Sequence, residues 1–124
     1  MNTPMDTHTH EHSPLIASDR VEGTAVYNRQ NERLGTIRNF MVNKRTGQAE
    51  YAVLAFGGLF GLGSSNYPLP WDVLDYDPAK GGYVVDLDKD TLENAPRYED
   101  DATPDYDDDY IRSVRGFYDD SPMI

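Results

Sequence analysis

The chain has no cysteine, one tryptophan, and no unbroken apolar run of the length a bilayer demands. The first absence excludes disulfides, thiol nucleophiles and thiolate metal sites. The lack of a long apolar run excludes a spanning helix, which takes about 20 such residues. Bases are scarce as well, with 11 Lys and Arg against 22 Asp and Glu and a net charge of −11. Binding a nucleic-acid backbone requires clustered Lys and Arg. No nucleic-acid partner is therefore expected, and neither is membrane insertion nor charge-driven docking on anionic lipid.

The acid is unevenly spread. Residues 14–87 carry eight acids and seven bases, whereas residues 88–124 carry twelve acids and four bases. This division predicts three segments: a disordered leader over residues 1–14, one domain over 15–97, and an acidic tail over 98–124. The leader lacks the positive start and apolar middle of a signal peptide, so a cytoplasmic protein is expected. Its His8, His10 and His12 alternate, but no second cluster completes a metal site, and the plain expectation is a solvated terminus.

The domain is organised around Glu50 to Gly63. Tyr51, Val53 and Ala55 point to one side of a strand and Ala52, Leu54 and Phe56 to the other, so neither face alternates with polar residues. A strand apolar on both faces needs a cover on each, from the rest of the chain or from a second copy. The glycine-rich stretch that follows exposes Leu59, Phe60 and Leu62, an apolar patch suited to association.

Around this strand the punctuation is legible. Ser18-Asp19 opens a helical turn that Gly23 ends. Thr24–Tyr27 and Arg33–Val42 read as strands. In the second, Leu34 and Ile37 are three apart, and Gly35 between them marks a bulge. Asn43 to Gly47 is a hairpin turn. Pro68 and Pro70 remove ladder donors on one side of the next strand and place it at an edge or corner, with Trp71 as core. Val73 and Leu74 turn inward, and Asp77 to Gly82 closes a second hairpin. In the tail, Thr103 as cap and Pro104 as first residue predict a helix over about 104–115, stopped by Gly116. Its stripe is Tyr106, Tyr110, Val114 and Phe117.

The residues that carry these elements resemble a known family. Gly23-Thr24-Ala25-Val26-Tyr27 with Arg33-Leu34-Gly35-Thr36-Ile37, the run Thr46 to Leu54 with Phe56-Gly57-Gly58, and Pro68-Leu69-Pro70-Trp71 with Leu92 to Pro96 are similar to the PRC-barrel domain. That family includes the cytoplasmic domain of the photosynthetic reaction centre H subunit and the C-terminal domain of a bacterial ribosome-maturation factor. The resemblance implies a mainly β fold, a small six-stranded barrel, and contact with other proteins rather than catalysis.

Chemistry finds little support. The glycine stretch lacks the Lys-Ser/Thr ending of a phosphate loop and opens no helix. Asp105-x-Asp107-x-Asp109 begins like a calcium loop but has Tyr110 where glycine is needed and Gly116 where a bidentate glutamate is needed. No cofactor and no enzyme activity are expected. The reading is a non-catalytic protein-interaction module that forms a homodimer and binds an unidentified protein. Leu59, Phe60, Leu62, Tyr106, Tyr110, Val114 and Phe117 are its contacts. The alternative is an accessory to membrane electron-transfer complexes at the cytoplasmic face.

Overall fold

A computed structural model describes residues 14–56 and 65–120. A short helix, α1 (Ser18–Val21), precedes strands β1 (Ala25–Asn28), β2 (Arg33–Val42), β3 (Ala49–Phe56) and β4 (Ser65–Pro70). A 3-10 turn (Trp71–Val73), β5 (Asp75–Asp77), β6 (Gly82–Val85), α2 (Lys89–Glu93) and α3 (Asp108–Asp120) follow. The strands form one sheet in the order β4-β3-β2-β1-β6-β5. All neighbours are antiparallel except β1 and β6, which run parallel with Val26 opposite Tyr83. The parallel pair had no signal in local sequence, because it joins segments far apart in the chain.

The β1–β2 turn is built by one side chain. Asn28, 1% exposed, accepts from the amides of Gln30 and Glu32 at 3.0 and 2.9 Å and donates to the Glu32 carboxylate at 2.7 Å. The bulge predicted in β2 is present: Val26 faces Gly35 and its neighbour Tyr27 faces Arg33, so Leu34 is the extra residue. The shift puts both Leu34 and Ile37 in the core, at 5% and 1% exposed. Gly35 serves a different purpose from the one its position suggested. A Cβ there would lie 2.0 Å from the Ala55 carbonyl oxygen, so β2 and β3 approach closely only because the side chain is missing.

The sheet rolls without closing. Trp71 leaves the end of β4, yet its ring lies 6.0 Å from Phe40 on β2 and 6.0 Å from Tyr83 on β6. In a flat sheet β4 and β6 would be four strand spacings, about 19 Å, apart. Trp71 is half-buried at the junction rather than wholly interior, with Val73 and Leu74 packed beside it. Among the described residues no ladder joins β4 to β5, so the expected barrel is completed by side chains and not by hydrogen bonds. The reason lies in β4. The amide and carbonyl of Asn66 both pair outward with Tyr98, at 2.8 and 3.0 Å. Residues 68 and 70 share that orientation, and as prolines they have no N–H to offer. Such an edge resists further strand addition.

The most deeply buried positions of the roll are largely aliphatic. Val26, Leu54, Leu69 and Leu92 are fully buried, and Ile37 and Val85 are 1% exposed. Asp88 accepts from the Thr91 amide at 2.7 Å and caps α2, a hydrogen bond that also lowers the carboxyl's pKa. The helical turn expected at Ser18-Asp19 forms, but the capping position is Ala17 and no side chain caps it.

Candidate interaction surface

Tyr51, Ala52, Val53 and Leu54 are consecutive and all at most 5% exposed, so both faces of β3 are covered. The sequence left open whether a second copy does the covering. The chain's own tail supplies one of the two covers. Tyr98 bridges to Asn66, Ser65 donates to Glu99 at 2.8 Å, and the Asn66 side-chain amide donates to Asp100 at 2.8 Å. Arg38 on β2 lies 3.8 Å from the same Asp100. The Tyr106 ring then sits 5.8 Å from Tyr51 and its hydroxyl 2.9 Å from that of Tyr98.

The tail helix differs from the prediction at both ends. It begins at Asp108, with the Asp107 carboxylate accepting from the Tyr110 amide at 2.9 Å. Thr103 is not its cap and Pro104 is not its first residue. The non-helical stretch up to Asp107 lets Tyr106 reach Tyr51, and a helix begun at 104 would turn it on a different path. At the far end α3 runs through Gly116 to Asp120. The extra turn brings Tyr118 into the stripe behind Tyr110 and Val114, at 3% exposed. Reading Gly116 as a stop hid it. The regular four-residue spacing of Tyr106, Tyr110, Val114 and Tyr118 was the signal that could have found it.

The expected contact residues are thus placed as follows. Val114 is fully buried against the chain's own core and Tyr106, Tyr110 and Phe117 are half-buried against it. Part of the stripe expected to meet a partner is thus packed within the chain, on the apolar core beside β3 and β4. Leu59, Phe60 and Leu62 lie outside the described residues. Burial raises the pKa of the Tyr106 phenol, with the Tyr98 hydroxyl adding to it, and burial likewise raises Tyr118. Tyr110 is pushed up to about 12 by burial and then by Tyr98. The helix is tied to the 3-10 turn by Arg115, whose two terminal nitrogens donate to Asp72 at 3.3 and 3.2 Å.

Between the tail and the tip of the β2–β3 hairpin an open groove of about 660 Å³ remains. Tyr51, Tyr106 and Ile111 line it, with Val42 46% exposed on the rim. The hairpin tip is held by turn hydrogen bonds. Asn43 accepts from the amides of Arg45 and Thr46 at 2.9 and 3.1 Å, and Gly47 takes a φ of +78°. Lys44 and Arg45 ride on that tip beside the groove and make no ion pair among the described residues. Of the serines, Ser65 and Ser113 spend their hydroxyls on Glu99 and the Tyr110 carbonyl. Among the described residues no three His, Cys, Asp or Glu side chains gather as a metal site, and no helix is long and apolar enough to cross a membrane.

A family model described as the PRC-barrel domain matches residues 14–92. The chain belongs to the PRC-barrel domain family. A similar solved structure is that of RimM from Pseudomonas aeruginosa, described as a 16S ribosomal RNA processing protein. It is 23% identical with a TM-score of 0.41, over 64% of this chain and 48% of that one. No curated protein matches. The family match ends at residue 92, so the covering tail lies beyond the PRC-barrel unit that it covers.

Proposed function

We propose that this PRC-barrel chain is a non-catalytic protein-interaction domain that acts by adhesion and not by turnover. The observation that carries the reading is the groove at the hairpin tip. There an apolar floor of Tyr51, Tyr106 and Ile111 meets two cations, Lys44 and Arg45, that make no ion pair among the described residues, with Glu50 as the one acid in the lining of a strongly acidic protein. Apolar floor and charged rim is the anatomy of a protein contact. The described polar side chains are largely spent on turns, caps and tail contacts, which supports a role without chemistry. Self-association through the loop bearing Leu59, Phe60 and Leu62 belongs to the same reading.

The test is affinity capture from source cells with the wild-type chain, a Lys44→Glu/Arg45→Glu chain and a Phe60→Asp chain. The expected result is loss of the same captured protein with the hairpin variant. Light scattering of the wild-type and Phe60→Asp chains should show a dimer only for the former. Capture that is indifferent to both variants would remove the groove and the loop as contact surfaces.

A further inference from the structure

The tail binds its sheet less completely than the sheet binds itself. Among the described residues, the buried side-chain polar atoms without a partner are Asn66 Oδ1 and the hydroxyls of Tyr110 and Tyr118. All three lie where residues 98–120 meet the sheet. A buried group left unpaired carries a desolvation penalty that the fold must absorb. The rim of this seam is an exposed ion pair, Arg115 with Asp72, and hydrogen bonds from Ser65 and Asn66 to acids of the tail. At the N-terminal end of α3 the groove stays unfilled beside Ile111.

We propose that the tail is a displaceable occupant of a docking track, and that the track's ligand is an acidic, helix-forming segment of another protein. That segment carries the tail's own pattern, an aromatic and aliphatic stripe at four-residue spacing behind a run of acids. It carries a bulkier side chain where the tail has Ile111. Charge sets the direction. Arg38 on β2 lies 3.8 Å from Asp100 of the tail, Lys44 and Arg45 outnumber Glu50 in the lining of the groove, and Asp72 of the 3-10 turn pairs with Arg115. A second copy of this chain is the weaker occupant, since an identical tail leaves the same groove and the same unpaired hydroxyls. The inference rests on the interaction-domain reading, but its readouts need no natural partner and can fail separately from it.

The probe is a fluorescent peptide of residues 98–120, added to the full-length chain and followed by anisotropy. The wild-type chain should bind it weakly, because its own tail competes. A full-length chain with Val114→Asp, which loosens that tail, should bind about tenfold tighter or better. A full-length Arg115→Glu chain, a milder lesion at the seam's rim, should fall between them. A peptide with Ile111→Trp should bind the loosened chain more tightly than the unaltered peptide, and a peptide with Val114→Asp should not bind. Failure of both loosened chains to bind any peptide while the sheet stays folded would overturn the proposal. So would loss of the sheet itself in the Val114→Asp chain, since a cover whose release unfolds the protein is not displaceable. A dimer formed by exchanged tails, seen when Asp72→Arg and Arg115→Asp chains are mixed, would replace the foreign segment with a second copy.

Discussion

The sheet and the tail of this molecule are packed to different standards. Inside the roll, Val26, Leu54 and Leu69 are fully buried and bring no side-chain polar atom that would need a partner. In the seam, Val114 is buried among tyrosines. They bring large apolar rings but also hydroxyls: those of Tyr98 and Tyr106 bond to each other, whereas those of Tyr110 and Tyr118 have no partner among the described residues. Aliphatic burial fixes a structure at little polar cost, whereas tyrosine burial gives area together with a reason to let go.

The largest expected effect is in the sheet. Leu54→Ala should cost about 2–5 kcal/mol in chemical denaturation and lower tail and sheet signals together, since it opens a cavity in the shared core. Val114→Ala should cost less, about 1–2 kcal/mol, and should act mainly on the tail, read as faster amide exchange in α3 with β3 little changed. Raising pH should separate the regions next. The phenols of Tyr106, Tyr110 and Tyr118 have pKa values raised above the ordinary 10.0 in the folded chain, so folding favours their neutral forms. That contribution is complete below pH 10 and drains away as pH climbs beyond it. Tyrosinate absorbance of these groups should therefore appear late and together with release of α3. Gly116→Ala should stabilise by about 0.5–1 kcal/mol in thermal melts, because Gly116 lies within α3 with open space around it. The smallest effect sharpens the comparison most. Tyr118→Phe removes an unpaired buried hydroxyl and should be neutral or gain up to about 1 kcal/mol, the opposite sign to a truncation in the sheet.

Much of the sheet was readable from local chemistry. Gly23, Gly47 and the Leu34–Gly35 irregularity specify turns and a bulge by themselves, and Pro68 and Pro70 specify an edge. What local chemistry could not show was partnership at a distance. The run Tyr51 to Leu54 announces two covered faces without saying that residues 98–118 supply one cover. The parallel β1–β6 pair and the Trp71 junction are equally non-local. The helix start was misplaced because Thr103 and Asp107 are both good caps, and the tertiary contact between Tyr106 and Tyr51 goes with the second. The groove was invisible for a related reason. Lys44 and Arg45 read as ordinary turn residues until the tail arrives beside them.

Native-state hydrogen exchange on the unmodified chain addresses the two-standard account most directly. Amides of α3 should exchange through a local opening, about a hundredfold or more faster than those of β3, with β3 protected up to global unfolding. Equal protection in α3 and β3 across a denaturant series would show a single cooperative unit, with a tail as firmly built as the sheet beneath it.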